Sequence, residues 1–327
     1  MKTRRVLIVL TALMLAAVLG ASAVSDGNLK QLYNTGTALL FDTNNVTVNG
    51  TVTFSCDGER FKTVKGYYAQ DGFNSIWRYQ LFTPRKNAPG DRETGYTVIG
   101  NGYSVYVMET MTPGYYREGV TQQQRTLVRR SPQLDQVVRL AELAVGQMEP
   151  LLGADAVNVL ADNDAGRKVT VTLEEKDVSE LTDILFNLGV QTAIERLFAR
   201  GLYDWDGDLQ DDGTVGHMTV TDMIVCTTER YALNGLSLTF TTDGAGHLRG
   251  VTGDIAVKLH MLDKSEHDLD IHVDLTAYDY GNTRVNAFDP EEYGVRPYYE
   301  AFMDFEGQEA FIDFEDQEAY MDFEEQP

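Results

Sequence analysis

The chain is poor in cysteine, in basic residues and in long apolar runs, and each shortage narrows what it can be. Lysine and arginine total 27 against 50 aspartates and glutamates, a net charge of −23. Such a field repels nucleic acid and anionic membrane surfaces, and it suits solubility, a cationic partner or divalent cations. Beyond Gly20 no apolar stretch is long enough to cross a bilayer, so an integral membrane protein is not expected. There is no G-x-S-x-G elbow, phosphate loop, dinucleotide fingerprint or H-E-x-x-H pair. The expectation is therefore a non-enzymatic protein with no cofactor.

The two cysteines are Cys56 and Cys226. Each shares strand parity with an apolar neighbour, Phe54 for the first and Ile224 for the second. Two readings stay open. Both can be buried free thiols, or export can join them in one disulfide. That bond would close a loop of about 170 residues and add roughly 4–5 kcal/mol in the chain-entropy model.

What is present begins with Met1-Lys2-Thr3-Arg4-Arg5, an apolar run from Val6 to Gly20, and Ala21-Ser22-Ala23. A basic start, a short apolar core and small residues at the cleavage point predict a secretory signal peptide over residues 1–23. The mature chain would start at Val24 and be secreted or extracytoplasmic. Losing Lys2, Arg4 and Arg5 would make it more acidic still. No cysteine lies at the cleavage point, which argues against a lipid-anchored start.

From Val46 to Glu109 the pattern alternates. Val46, Val48, Val52, Phe54 and Cys56 share one parity, and Thr47, Thr51, Thr53 and Ser55 the other. Period two puts the two sets on opposite faces of a sheet. Asp57-Gly58, Asp71-Gly72 and Gly100-Asn101-Gly102 are hairpin turn chemistry, which predicts a meander of five short strands. One strand sets Trp77, Tyr79 and Leu81 against Arg78 and Gln80.

Asn28 to Leu40 reads as a helix leading into the meander, and after the turn at Met111-Thr112-Pro113-Gly114 a further strand is expected to start at Tyr115-Tyr116-Arg117. Ser131-Pro132 opens a helix with a capping serine, striped by Val137, Ala141, Ala144, Met148 and Leu151. A strand over Val169 to Leu173 precedes a second helix near Asp177, striped by Leu181, Ile184, Leu185 and Leu188. Strands return over Thr219–Thr227, Leu236–Thr241, His247–Met261 and His267–Tyr280. Ile255, Val257, Leu259 and Met261 face one way, with Leu269, Ile271, Val273 and Leu275. Asp254, Lys258, His260, Asp268, Asp270, His272 and Asp274 face water, as one-sided antiparallel sheets require.

The C-terminus is three copies of a nine-residue unit, Glu300–Gln308, Glu309–Gln317 and Glu318–Gln326, with eleven acids and no base. This composition predicts a disordered acidic tail over 291–327, with residues 300–327 as the place a protein partner would dock through avidity. Two near-motifs fall short. Asp204 to Asp212 offers oxygen ligands, but Leu209 and Val215 stand where a calcium loop needs glycine and glutamate. All five histidines lie between His217 and His272, without closed zinc spacing, so no metal is expected.

The order of signal peptide, helix, meander, helix, strand, helix and four strands, ending in Tyr278-Asp279-Tyr280-Gly281 and Thr283-Arg284-Val285, resembles the lipoprotein-carrier (LolA-type) superfamily and related mycobacterial lipid-binding lipoproteins. The resemblance covers Leu29 to Phe288 and rests on element order and strand texture. It implies an α+β domain over 24–290, a curved antiparallel β-sheet forming a half-open barrel of about nine to eleven strands, covered by two or three helices. It also implies an apolar hollow that holds a lipid or other hydrophobic small molecule. The residues place Phe54, Trp77, Tyr79, Leu81, Leu259, Ile271 and Val273 on the apolar face as its expected lining.

Overall fold

Alternation of side chains runs further in the folded chain than the sequence patterns alone suggest. The structure, a computed structural model, describes residues 28–84, 89–101, 104–109, 114–120, 157–178, 180, 183–184, 186–187, 224, 227–286 and 288–297. Helix α1 (Asn28–Phe41) leads into β1 (Asn45–Cys56), β2 (Glu59–Asp71), β3 (Asn74–Pro84), β4 (Asp91–Asn101) and β5 (Ser104–Glu109). Strands β6 (Tyr115–Val120), β7 (Val157–Asn163) and β8 (Gly166–Glu174) follow. The longest strands close the series: β9 (Thr228–Asp243), β10 (Leu248–Met261) and β11 (Glu266–Tyr278). A four-residue helix α2 (Pro290–Tyr293) and β12 (Arg296–Pro297) complete the described chain.

All twelve strands form one sheet in the order β12-β6-β5-β4-β3-β2-β1-β11-β10-β9-β8-β7. Neighbours are antiparallel, except that β12 runs parallel to β6. The two hairpin series meet where β1 pairs with β11, Val52 opposite Val273 and Phe54 opposite Ile271. That seam joins residues more than two hundred positions apart, so a large loop closes before its contacts form.

This architecture overturns the expected α+β half-barrel of nine to eleven strands under two or three helices. Among the described residues the elements are overwhelmingly β, with α1, the four-residue α2 and a single 3-10 turn at Glu175–Asp177 as the complete helical elements. The reason is length: β9 spans 16 residues where the apolar alternation alone marks six, and β7 and β12 arise from segments without a strand signature. The expected helix at Ser131–Gly153 lies outside the described residues. In the second helix, Asp183, Ile184, Phe186 and Asn187 are helical, but Phe186 and Asp183 face inward while Ile184 is exposed. The expected strand at Thr219–Thr227 is helical where described, at Ile224 and Thr227.

One face of the sheet carries the core. A cross-strand row runs Val169, Phe240, Val251, Leu275, Gly50, Gly66 from β8 through β9, β10, β11 and β1 to β2. A second runs Leu173, Leu236, Ile255, Ile271, Phe54, Lys62 across the same strands. Leu259, Val171 and Val46 are fully buried, and each such side chain is worth about 1.5–3 kcal/mol of burial. The opposite face of β11 alternates to exposed Asp268, Asp270, His272 and Asp274, matching the expected wet face.

Helix α1 buries Leu32, Leu39, Leu40 and Phe41 and packs against β10. It ends at Asp42 and Thr43, whose N–H groups both donate to Ala38 O at 3.0 and 2.9 Å. At the other end, residues 291–297, assigned from composition to the tail, continue α2 and form β12. Asp289 caps α2 by accepting the Glu291 N–H, and Phe288 packs its ring 4.4 Å from Tyr106. The signal-peptide region, the calcium-like loop and the nonapeptide repeats lie outside the described residues. No helix among the described residues is long and apolar enough to cross a membrane.

Candidate ligand-binding face

The strand register brings most of the expected lining onto one surface. Phe54 stands opposite Ile271, and Val273 opposite Val52. Val52 in turn pairs with Val64, and Val64 with Leu81, while Tyr68 pairs with Trp77. Tyr79 sits in β3 opposite Gly66. Leu259 lies at the far end of the same face, opposite His267 rather than beside Phe54. Trp77, Leu81, Leu259, Ile271 and Val273 are buried as ordinary core residues, and only Phe54 is half-buried.

Gly50 and Gly66 are cross-strand neighbours, so two adjacent positions carry no side chain. Leu275 reaches over Gly50, but a Cβ at Gly66 would meet no heavy atom of the described residues within 4 Å. Val48 and Val52 of β1 and Val64 and Tyr68 of β2 flank the glycine pair on the same face, and further along it the Phe54 and Phe61 rings stand 6.2 Å apart. A glycine pair lowers the floor of a pleated surface, and the neighbouring apolar side chains become its walls.

Polar groups mark one end of this region. Tyr68 Oη donates to Gln70 Oε1 at 2.6 Å, and Gln70 Nε2 donates to Gly72 O at 3.0 Å. Full burial pushes the Tyr68 phenol well above its usual range, so it remains a neutral donor. This dyad satisfies buried polar atoms beside the apolar surface at the Asp71-Gly72 turn.

At the other hairpin end is a group that sequence reasoning did not assemble. Cys56 ends β1, Asp57 opens the following turn at φ 51°, and His267 is the second residue of β11. Asp57 Oδ2 lies 2.7 Å from His267 Nδ1, and Asp57 Oδ1 accepts the Asp268 N–H at 2.9 Å. The hydrogen bond from His267, then that from Asp268, hold the Asp57 carboxyl below its usual range. Ser265 Oγ stands 3.3 Å from His267 Nε2, in the order of a serine–histidine–aspartate relay. Its hydroxyl, however, donates to Asp263 Oδ1 at 2.6 Å, which directs the proton away from the imidazole. Cys56 is buried and free, and Cys226 lies outside the described residues.

The histidines expected on the wet face are there, each with its own carboxylate. His272 Nδ1 lies 2.7 Å from Asp254, and His260 Nδ1 3.2 Å from Glu266. Their dispersal on separate partners explains why parity alone assembled no ligand set.

No family model matches the chain, and no curated protein matches it. Among solved structures it is similar to a LolA superfamily protein from Nitrosomonas europaea, at 11% identity over 76% of this chain and 92% of that one, with a TM-score of 0.18. It is also similar to the dehydratase domain from the terminal module of the rifamycin polyketide synthase, at 10% identity over 80% and 86%, with a TM-score of 0.14. An N-terminal dehydratase from the difficidin assembly line matches at 10% identity over 82% and 87%, with a TM-score of 0.13. At such TM-scores these likenesses fix neither the fold nor an activity.

Proposed function

We propose that this chain is an extracytoplasmic, non-enzymatic binding protein that holds a lipid or other apolar small molecule on the β1–β3 part of its sheet. The observation that carries the reading is the glycine pair: a Cβ at Gly66 would meet no described heavy atom within 4 Å, and half-buried Val48 and Val64 stand at neighbouring positions on the same face. Binding would transfer apolar ligand surface out of water, at about 0.8 kcal/mol per buried methylene. No proton or electron need move. Secretion rests on the leader-like first 23 residues.

The test is native and denaturing mass spectrometry of the chain from Val24 to Pro327, with solvent extraction, followed by titration with a fluorescent long-chain fatty acid. A co-purifying lipid-sized mass, or saturable binding of one probe that Gly66→Phe weakens at least tenfold, supports the reading. An empty protein that binds no probe, or binding indifferent to Gly66→Phe in a folded variant, overturns it.

A further inference from the structure

Cys56, Asp57 and His267 each bring one ligand atom within 4.8 Å of the others. We propose that these three side chains form a binding site for a zinc-class divalent metal ion, with a fourth position left for water or a ligand group. The site is separate from the apolar gap and stands or falls independently of the ligand-binding reading.

The donor set points to that class of ion. A thiol sulfur, an imidazole nitrogen and a carboxylate oxygen suit borderline-soft zinc, whereas calcium and magnesium take oxygen shells. Around a tetrahedral zinc, ligand atoms stand about 3.3–3.8 Å apart, so closing the site needs shifts of roughly an ångström. Asp57 is exposed and can make that shift, while its backbone N–H donates to Asp268 O at 2.8 Å and anchors the turn.

Two further features distinguish the cluster from an ordinary histidine–aspartate pair. First, Cys56 is more than nine-tenths buried, and its sulfur has no hydrogen-bond partner among the described residues. Second, the surroundings are acidic. The carboxylates of Asp57, Asp268 and Asp270 give the site a negative field that attracts a divalent cation. On binding, sulfur would give its proton to solvent and its lone pair to the metal. Ligation through His267 Nδ1 needs the tautomer with its proton on Nε2, which faces Ser265 Oγ at 3.3 Å, and would widen the 2.7 Å Asp57–His267 contact.

The experiment titrates cobalt(II) into chelator-treated, reduced full-length protein and reads the near-ultraviolet thiolate-to-cobalt band and the visible bands of a tetrahedral ion. Both should saturate at one equivalent and be reversed by zinc. Cys56→Ser should abolish the thiolate band, and His267→Ala should weaken binding at least tenfold, each checked by circular dichroism for a native melt. If Cys56→Ser fails to fold, Asp57→Asn serves instead and should weaken binding with the thiolate band retained. Cobalt bound without a thiolate band, or bound equally by the variants, would mean that acidic groups elsewhere hold it and would overturn the site. So would a denaturing mass two protons lower before reduction, which would place Cys56 in a disulfide.

Discussion

Leu275 of β11 reaches across the β1–β11 seam into the space above Gly50, its directly paired neighbour. Gly66, the next position along the same row, has no such occupant among the described residues. Two adjacent glycines on one face thus serve opposite ends, one to admit a neighbour and one to leave room. Gly50→Ala is expected to displace Leu275 and destabilise the protein by about 1–3 kcal/mol, as overpacking does. Gly66→Ala is expected to be neutral or to add up to about 1 kcal/mol by stiffening the strand. Urea unfolding of the two variants checks the contrast, and equal effects would contradict it.

The chain leaving β11 is fastened to the start of β1 through Asn45 and Thr283. Asn45 Oδ1 accepts the Thr283 N–H at 2.8 Å, and Asn45 Nδ2 donates to Thr283 O at 3.1 Å and to Asp71 Oδ1 at 2.8 Å. Beneath them, the buried hydroxyls of Thr47 and Thr283 stand 3.0 Å apart. The Thr283 N–H also donates to Asp279 O at 3.0 Å, so Asn45→Ala removes the side-chain bonds to Thr283 O and Asp71 and should cost about 1–2 kcal/mol. Thermal melts should show this loss, with Asn45→Asp recovering part of it through the Thr283 N–H alone.

Much of the sheet could be read from period two, and the seam could not. The Asp57-Gly58 turn takes positive φ at both residues, 51° and 80°, as its hairpin chemistry requires. The inward parity of β10 and β11 also matches their alternation. Strand β7 lies on an edge with consecutive Val159 and Leu160 both exposed, so these residues give no parity signal. The pairing of Cys56 with Leu269 is non-local, and nothing in either segment names the other. Without it Cys56 and His267 stay unrelated, which is why the histidines, read by spacing alone, suggested no metal site. Burial shows the same limit: alternation marks which face is apolar, but Trp77 and Leu81 are core while Gly66 stands open, and only packing separates those outcomes.

A helical segment completes the free edge of β9 where β8 stops. Pairing between β8 and β9 begins at Gly235, so Tyr231 and Leu233 have no β8 partner. Asp183 Oδ1 accepts the Leu233 N–H at 3.0 Å, and Asn187 Oδ1 accepts the Tyr231 N–H at 2.9 Å. Asp183 also pairs with Arg230, whose side chain is half in water. Asp183→Ala should destabilise by about 1–3 kcal/mol through the stranded Leu233 donor. Arg230→Ala should cost less than about 1 kcal/mol, since an exposed partner is replaced by solvent. A larger loss from Arg230 than from Asp183 in equilibrium unfolding would place the weight on the ion pair instead.

The turn between β9 and β10 supplies a pH dependence whose direction follows from Asp243. Its Oδ1 accepts the N–H groups of Ala245 and His247 at 3.0 and 2.9 Å, and its Oδ2 lies 2.7 Å from an Arg249 nitrogen. Burial raises this carboxyl, but the His247 hydrogen bonds and the hydrogen bond and charge of Arg249 outweigh it, leaving the group below its usual range. A carboxyl lowered by folding binds its proton more readily in the unfolded chain. Its contribution is therefore present above the unfolded value near pH ~4 and is lost as pH falls through the lower, folded value. Asp243→Asn removes this titration while keeping an oxygen for the turn. The variant should be less stable than the parent at pH 7 by about 1 kcal/mol, and the gap should close as pH drops below about 4. Urea midpoints measured across that window check it, and a gap that stays constant with pH would show that the carboxylate charge contributes nothing.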